Sequence, residues 1–413
     1  MFERRAKVRD RVSFTIDGRE IEAERGEPLA VALLAAGEGT LARSPKLHRP
    51  RGPACLRGDC DGCLARVDGV PNVMTCLADA HGGEVVEAQN VLGSRKVDLL
   101  RMTDWFFPKG IDHHHLMAGI PGVQNVMQTF ARQMAGIGKL PERPADPLPA
   151  ARIDCDVLVV GAGLAGLSCA AELSRAGVSV LVVDDGHAPG GSANAAGPDA
   201  MAEAERLTAA LHGAIRSRTT CAGFYDRDAL LAGKAGALIA TPKIAVAATG
   251  AHDGVLLVAG NDLPGVMGAR AVASLAHRGI VPSAGAVIVG SGPFAAPTER
   301  ALGARALRRV SESEVEAIEG SSRVEAVKLK SGERITCGVV AVATPPAPSF
   351  ELAEQRGAKT TRTESGFAVV TDDKGRAAED LYAVGEACGA PFDVAALIES
   401  GARAARAITA ALA

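Results

Sequence analysis

The pattern of apolar and polar positions is clearest in residues 157–184, where two short apolar runs enclose a helical pattern. The first run, VLVV, has the length of a buried strand and ends at Gly161. The helical pattern places leucines on one side and stops near Gly177, and the second run ends at Asp184. Strand, glycine turn, helix, strand and acid follow one another as in a dinucleotide-binding unit. The pattern therefore predicts an α/β fold with a nucleotide site at this turn.

Three glycines and one acid in this stretch have separate predicted roles. Gly161 permits the tight turn, and Gly163 lets the backbone approach a pyrophosphate at the positive end of the helix. Gly166 lets the helix pack closely on the sheet, and Asp184 is placed to accept hydrogen bonds from the ribose hydroxyls of an adenosine. The alternative is an empty glycine turn in an α/β domain.

Alternating strand patterns lie near the N-terminus. The stretches VSFTI and REIEA flank Asp17-Gly18, a dipeptide that suits a type I′ hairpin. Pro28 then begins a helix that Gly37 ends. The order of hairpin, helix and cysteine-rich loop predicts a ferredoxin-like β-grasp domain over residues 1–95.

Cysteine spacing gives the second chemical signal. Four of the nine cysteines follow the pattern Cys-x4-Cys-x2-Cys with one later Cys, which matches plant-type ferredoxins that hold a [2Fe–2S] cluster. The predicted cluster ligands are Cys55, Cys60, Cys63 and Cys76. A zinc knot is the alternative, but it usually has two CxxC pairs and only one is present. The remaining five cysteines are scattered and are interpreted as small buried side chains.

Residues 96–150 are less regular and are interpreted as a connector. They contain Trp105, three consecutive histidines at 113–115 and a helical pattern near 124–135. The histidines are more typical of a polar loop or an interface than of a metal site, because no acid or cysteine pattern accompanies them. Residues 140–151 are rich in proline and are interpreted as the linker into the nucleotide domain.

Further candidate nucleotide contacts follow the first glycine turn. Gly190-Gly191 allows close backbone approach beside a bound dinucleotide, and Thr249-Gly250 ends a strand as in flavoproteins with two dinucleotide domains. Gly385-Glu386 ends a late strand before a final helix, at a place where such flavoproteins have Gly-Asp against the cofactor. Glu386 differs from that aspartate by one methylene and still accepts hydrogen bonds.

A second glycine turn lies in AGAVIVGSGPFAAP, with Gly290, Gly292 and Ala295 in a GxGxxA pattern. No apolar strand that ends in an acid follows it, and the chain continues directly into a predicted strand pair, VEAVKL and ERITC. We therefore expect a shortened second domain. Gly290 and Gly292 are candidates for a second nucleotide, but the missing acid argues against one.

Composition narrows the function classes. The 413 residues carry a formal charge of −3 without a lysine or arginine block, which argues against nucleic-acid binding. The longest apolar runs are far shorter than the roughly 20 residues that span a bilayer. The N-terminal stretch lacks the apolar centre of a signal peptide, so we expect a cytoplasmic protein.

The ordered set of motifs resembles the α subunit of heterotetrameric sarcosine oxidases. It is similar also to the related subunits of opine oxidases, dye-linked proline dehydrogenases and hydrogen cyanide synthase. The stretches that carry the resemblance are the cysteine loop, FFPKGIDHHHL, ARQMAGIGKLP, CDVLVVGAGLAG, ATGAHD, NDLPGVM and VGSGPFA. The chain corresponds to a cluster-bearing, shortened form of that subunit.

The resemblance implies cofactors, partners and domains. It implies FAD at the first glycine turn, where NAD is also possible, and a [2Fe–2S] cluster. It implies a hetero-oligomer with a β subunit of the D-amino-acid-oxidase fold, and possibly further small subunits. The expected domains are a ferredoxin-like domain at 1–95, the connector at 96–150, an FAD-binding domain at 151–262 and 340–413, and a shortened NAD(P)-binding-like domain at 263–339.

No residue stands out as a general base, nucleophile or substrate clamp, so no catalytic residue is predicted. The preferred hypothesis is an electron-transfer subunit of an amine or amino-acid oxidoreductase, which relays electrons between a partner's flavin and an acceptor. One alternative is a self-contained NAD(P)H-dependent flavin and iron–sulfur reductase. Another is a non-catalytic scaffold whose nucleotide is structural.

Overall fold

The structure is a computed structural model that describes residues 1–413 except 45–47, 90, 92–93, 96, 100–145, 147–148, 212 and 235. The connector features, Trp105, the three histidines and the helical pattern near 124–135, lie outside the described residues. The chain divides into two compact units. Unit 1 contains residues 1–145, 256–290 and 302–342, and unit 2 contains residues 146–255, 291–301 and 343–413. The domain boundaries predicted from the sequence stay a prediction.

Unit 1 begins with the predicted β-grasp arrangement. The hairpin turns at Asp17 and Gly18, whose φ angles of 48° and 80° are those of a type I′ turn. One helix, Leu29–Ala35, buries Leu29 and Leu33 against the mixed sheet. The five strands of that sheet, in spatial order, are Arg19–Glu24, Arg11–Ile16, Val85–Glu87, Leu64–Val67 and Val70–Met74.

The second part of unit 1 is a four-stranded parallel sheet. The strands, in spatial order, are Val266–Gly268, Val339–Val342, Ala286–Val289 and Ala306–Val310. The helix Ala269–His277 follows the first of them. An antiparallel sheet of Val315–Glu319, Ala326–Leu329 and Arg334–Thr336 adjoins it in sequence and contains the predicted hairpin-like strand pair.

The prediction that no second strand follows the second glycine turn is wrong. Ala306–Val310 pairs in parallel with Ala286–Val289 and occupies that place. It was missed because it is the edge strand of its sheet and exposes Arg308 and Arg309, so it lacks a continuous apolar run. The strand is followed by Ser311, which caps a short 3-10 turn, and not by an acid.

Short strand pairs complete unit 1. Phe2–Arg4 pairs with Ile280–Pro282, and Ala42–Arg43 pairs with Pro50–Arg51. The first pair joins the N-terminal residues to a stretch far along the chain, so the ferredoxin-like residues and the parallel sheet belong to one unit.

Unit 2 is built on a sheet whose long central strand is Ala150–Val160. Val180–Val183 and Gly236–Ala247 flank it in parallel, and the latter also pairs in parallel with Leu381–Ala383. The remaining strands of this eight-stranded sheet are Ile215–Arg216, Thr219–Tyr225, Asp228–Gly233 and Arg376–Ala378. Unit 2 also has the paired strands Ala251–His252 with Ala347–Pro348, and Thr360–Arg362 with Phe367–Val369.

Helices cover the parallel part of this sheet. The helices that unit 2 contains wholly or almost wholly are Leu164–Arg175, Ala193–Ala196, Pro198–Ala209, Ala295–Leu302, Glu351–Gln355 and Val394–Leu412. The last helix crosses the first at Gly401, where a Cβ would overlap the carbonyl oxygen of Ala165. This close approach fixes the two helices that frame the first glycine turn. Among the described helices, none is both long and apolar enough to cross a bilayer.

Candidate cofactor sites

The cysteine loop, residues 55–76, contains two neighbouring strands of the ferredoxin-like sheet. Cys63 and Cys76 are fully buried, Cys55 is almost fully buried, and Cys60 is partly exposed. All four are thiols and not disulfides. The predicted ligands are therefore brought into one loop, with Cys60 on its outer side.

The four sulfur atoms form two pairs. Cys55 and Cys60 have their Sγ atoms 3.4 Å apart, and Cys63 shares a side-chain hydrogen bond with Cys76. A [2Fe–2S] cluster needs two thiolates on each iron, because the inorganic sulfides complete each tetrahedron. The two pairs of thiols are the donor set that two irons require.

Backbone N–H groups point at these sulfur atoms. Arg57 and Asp59 donate to Cys55 Sγ at 3.4 and 3.3 Å. The hydrogen bond within the pair lowers the pKa of Cys60 and raises that of Cys55, and backbone N–H groups that include those of Ala54 and Cys55 lower the pKa of Cys60 further. Such donors favour thiolates, the form that binds iron.

The five other cysteines behave as buried thiols. Burial raises the pKa of Cys155, Cys221 and Cys337 to about 11, and that of Cys169 and Cys388 to about 12. They remain protonated at neutral pH, and none of them lies in the cysteine loop. This agrees with their interpretation as packing residues.

The first glycine turn, residues 161–166, has the geometry that the sequence predicts. Gly161 has φ 108°, and a Cβ there would overlap the carbonyl oxygen of Ala248. A Cβ on Gly166 would overlap the carbonyl oxygen of Gly161. At Gly163, in contrast, no described atom lies within 4 Å of the Cβ position. The turn is closed on its sheet side and open where a pyrophosphate would approach the helix Leu164–Arg175.

Asp184 and the Gly190-Gly191 pair lie beside this turn. The carboxylate of Asp184 accepts from the backbone N–H of Ala162 at 2.6 Å and from that of Gly186 at 2.8 Å. The backbone N–H of Gly190 donates to the Ala162 carbonyl at 2.8 Å, and Gly163 forms a β-bridge with Gly190. These candidates therefore converge from three separate parts of the sequence.

The remaining candidates extend the same surface in unit 2. Thr249 donates from its hydroxyl to the Ser349 carbonyl at 2.6 Å. A Cβ on Gly250 would lie 3.9 Å from the buried carboxylate of Glu386. Gly385 adopts φ 72°, and a Cβ there would lie 2.9 Å from Ala165. The structure brings all four near the helix that the first turn begins, and their contacts with a cofactor stay a prediction.

The second glycine turn, residues 290–295, differs from the first at its second glycine. The Gly290 N–H donates to the Val310 carbonyl at 2.9 Å. In the first turn, the Gly161 N–H donates in the same way to the Val183 carbonyl at 2.8 Å. The Gly292 N–H, however, donates to the Ala343 carbonyl at 2.6 Å, and a Cβ on Gly292 would lie 2.6 Å from that oxygen. The amide that would face a pyrophosphate is already satisfied by the chain itself.

Sequence reasoning missed two contacts that shape these sites. Gly401 gives no local signal, because a glycine within a helix reveals nothing about the helix that it touches. Ser168 donates from its hydroxyl to the Ile398 carbonyl at 2.8 Å, which ties the same two helices together. In the sequence, only the run of small residues in the last helix indicates that another helix packs closely against it.

Two family profiles match the two sites. Residues 9–91 match a 2Fe-2S iron-sulfur cluster binding domain, and residues 159–214 match an NAD(P)-binding Rossmann-like domain. These matches confirm the predicted cluster domain and the predicted dinucleotide-binding domain.

Relatives of known name cover both domains. The α subunit of sarcosine oxidase from Corynebacterium sp. (strain P-1) is 30% identical over 370 residues, which are 82% of this chain and 34% of that protein. The corresponding subunit from Rhizobium meliloti (strain 1021) is 30% identical over 66% of this chain and 31% of that protein. One subunit of the opine oxidase from Agrobacterium tumefaciens (strain Ach5) is 33% identical over 34% of this chain and 32% of that protein. The chain spans about a third of the length of these relatives.

A solved structure shows the same fold over almost the whole chain. The crystal structure of an L-proline dehydrogenase from P. horikoshii superposes with a TM-score of 0.76 at 21% identity, and the match covers 99% of this chain and 75% of that one. The chain therefore combines a 2Fe–2S cluster domain with a Rossmann-like dinucleotide domain, and over most of its length it is similar to the α subunits of sarcosine oxidases.

Proposed function

We propose that the chain is the electron-transfer subunit of an amine or amino-acid oxidoreductase of the sarcosine, opine or proline type. In this proposal it relays electrons between a partner subunit's flavin and an acceptor. The carrying observation is that one chain contains a cluster domain with four paired thiols and a dinucleotide domain with an open glycine turn. Such a combination suits conversion between two-electron and one-electron transfer.

The nucleotide in this proposal is FAD, with NAD as the alternative at the same turn. A flavin accepts two electrons and releases them singly, and a [2Fe–2S] cluster carries one at a time. The chain's own contribution is binding and orientation. The open N-terminus at Gly163 receives the pyrophosphate, Asp184 accepts from the ribose, and Glu386 accepts from the part of the cofactor beyond it.

Substrate oxidation is assigned to another polypeptide in this proposal. The sequence offers no nucleophile or general base in a recognisable arrangement, and the relatives are named as single subunits of oxidases. We propose a β subunit of the D-amino-acid-oxidase fold as the partner. We also propose a cytoplasmic location, which nine cysteines that are all thiols support.

Purification from the native host tests the assembly. We expect the tagged full chain to co-purify with a flavin-containing partner, and the complex to show flavin and iron–sulfur absorption and to release FAD on denaturation. The matched control is the same purification with a tagged Cys63→Ala chain, which should keep the partner and lose only the iron–sulfur signal. A chain recovered alone, without any nucleotide, would refute the proposal.

Direct reduction by nicotinamide nucleotides separates this function from a self-contained reductase. Because the Gly292 amide is already bonded to the Ala343 carbonyl, we expect neither NADH nor NADPH to bleach the flavin rapidly. Anaerobic stopped-flow absorption measures this, with dithionite as the control that the flavin is reducible. If NADH or NADPH bleached the flavin fully within the time that the complex needs for one turnover, the self-contained reductase would be favoured instead.

A further inference from the structure

The segment 261–268, which is the NDLPGVM stretch that the function above leaves unused together with Gly268, lies against residues 51–54, which lead into the cysteine loop. Both belong to unit 1. Arg51 bonds to the Asp262 carboxylate at 2.6 Å and to its carbonyl at 3.2 Å. These contacts come four residues before the first cluster cysteine, so the segment adjoins the strand that leads into the loop.

Backbone packing continues from this ion pair toward the cluster. A Cβ on Gly52 would lie 3.1 Å from Pro264, and a Cβ on Gly62 would overlap the carbonyl oxygen of Gly52. Pro264, Gly52 and Gly62 thus pack closely one after another, because neither glycine has a side chain. Gly62 immediately precedes the cluster ligand Cys63, so displacement of the segment 261–268 transmits directly to the loop.

One hydrogen bond reaches the ligands through a single peptide group. The Gly268 N–H donates to the Ala54 carbonyl at 2.9 Å. That carbonyl belongs to the peptide that carries the N–H of Cys55, the first of the four predicted cluster ligands. A carbonyl that accepts a hydrogen bond makes the N–H of its own peptide a stronger donor. Gly268 is also the N-cap of the helix Ala269–His277, whose positive end adds to this polarisation.

We propose that the segment 261–268 supports the residues that lead into the cysteine loop. We propose also that it raises the reduction potential of the cluster through the Ala54–Cys55 peptide. The added electron of the reduced cluster increases the negative charge on its thiolates. A more strongly polarised N–H on the peptide beside those sulfurs therefore stabilises the reduced state over the oxidised state. The proposal deepens the electron-transfer function and rests on it.

Proline at position 268 tests the hydrogen bond itself. Gly268 has φ −58°, within the range of proline, and the preceding Met267 lies in an extended strand that tolerates a following proline. Gly268→Pro removes the N–H, whereas the matched control Gly268→Ala adds a Cβ and keeps it. In the full chain with its cluster, we expect the equilibrium constant for one-electron reduction to be about threefold lower in the proline variant than in the alanine variant, which is ~28 mV. Potentiometric titration followed by EPR of the reduced cluster measures the difference.

A second variant decides the question if the proline chain fails to fold. Asp262→Asn breaks the partly exposed ion pair with Arg51, and Asp228→Asn, which breaks a comparable pair with Arg152 in unit 2, is its control. We expect only Asp262→Asn to lose iron faster to a chelator, because only that variant weakens the contact between the segment and Arg51.

Equal potentials in Gly268→Pro and Gly268→Ala with intact clusters would overturn the proposed role of the segment 261–268. Equal iron loss from Asp262→Asn and Asp228→Asn would overturn it as well, and the electron-transfer function would stand in both cases. Zinc in place of iron in the wild-type chain would overturn both the role of the segment and the electron-transfer function.

Discussion

Replacing Cys76 with serine is expected to remove the [2Fe–2S] cluster from the purified chain. Cys76 is fully buried and shares a hydrogen bond with Cys63, so its sulfur is held beside that of another predicted ligand. A serine hydroxyl is a much poorer ligand than a thiolate for the iron of such a cluster. Iron and acid-labile sulfide, assayed after anaerobic purification, should fall at least about tenfold.

The control for this variant is Cys337→Ser in the same unit. Cys337 is also buried, but burial raises its pKa to about 11 and it lies outside the cysteine loop. We expect it to keep full iron content and to lose about 1–2 kcal/mol of unfolding free energy, because a hydroxyl replaces a thiol in an apolar site. Unchanged iron in Cys76→Ser, or equal losses in both variants, would contradict the assignment of the four ligands.

Valine at position 163 is expected to abolish nucleotide binding while the fold persists. Gly163 has φ −76° and ψ 178°, an extended conformation that valine favours, and its Cβ position is free of described atoms. The added methyl groups would occupy the space that a pyrophosphate needs. We expect the affinity for FAD to fall about 100-fold, which is ~2.7 kcal/mol, with little change in melting temperature. Equilibrium titration of the apoprotein with FAD and thermal unfolding measure the two effects.

Ser174→Val, on an exposed position of the same helix, is the matched control and should bind FAD as the wild-type chain does. A contrasting variant is Gly166→Val, whose Cβ would overlap the Gly161 carbonyl oxygen, so we expect it to lose stability as well as binding. If Gly163→Val retained its nucleotide, the cofactor would have to lie away from this turn.

Local signals predicted the parts of the structure that local chemistry determines. The hairpin at Asp17-Gly18 was predictable because that dipeptide tolerates the positive φ angles of the turn. The approach of Gly190 to Gly163 was predictable because both glycines were expected to let the backbone come close to the same dinucleotide. In both cases the residue types themselves indicate the conformation.

Contacts between distant residues were beyond such signals. The edge strand Ala306–Val310 has arginines where a buried strand would have apolar residues, so its pairing depends on one covered face only. The Gly292 N–H bonds to Ala343, and nothing in the GxGxxA pattern indicates that acceptor. The same limit applies to the Gly268–Ala54 hydrogen bond, since its two ends are far apart in sequence.

That separation has a consequence for biosynthesis. Phe2 pairs with Pro282, and Ala54 receives its hydrogen bond from Gly268, so unit 1 closes only after both later stretches have left the ribosome. At a synthesis rate of about 5 to 20 residues per second, the cysteine loop emerges on the order of 10 to 40 seconds before the segment 261–268. Throughout that interval the four thiols are present without the segment that packs against Gly52. A cluster delivered to the nascent chain would therefore meet a loop without this contact, and the native site is complete only late in translation.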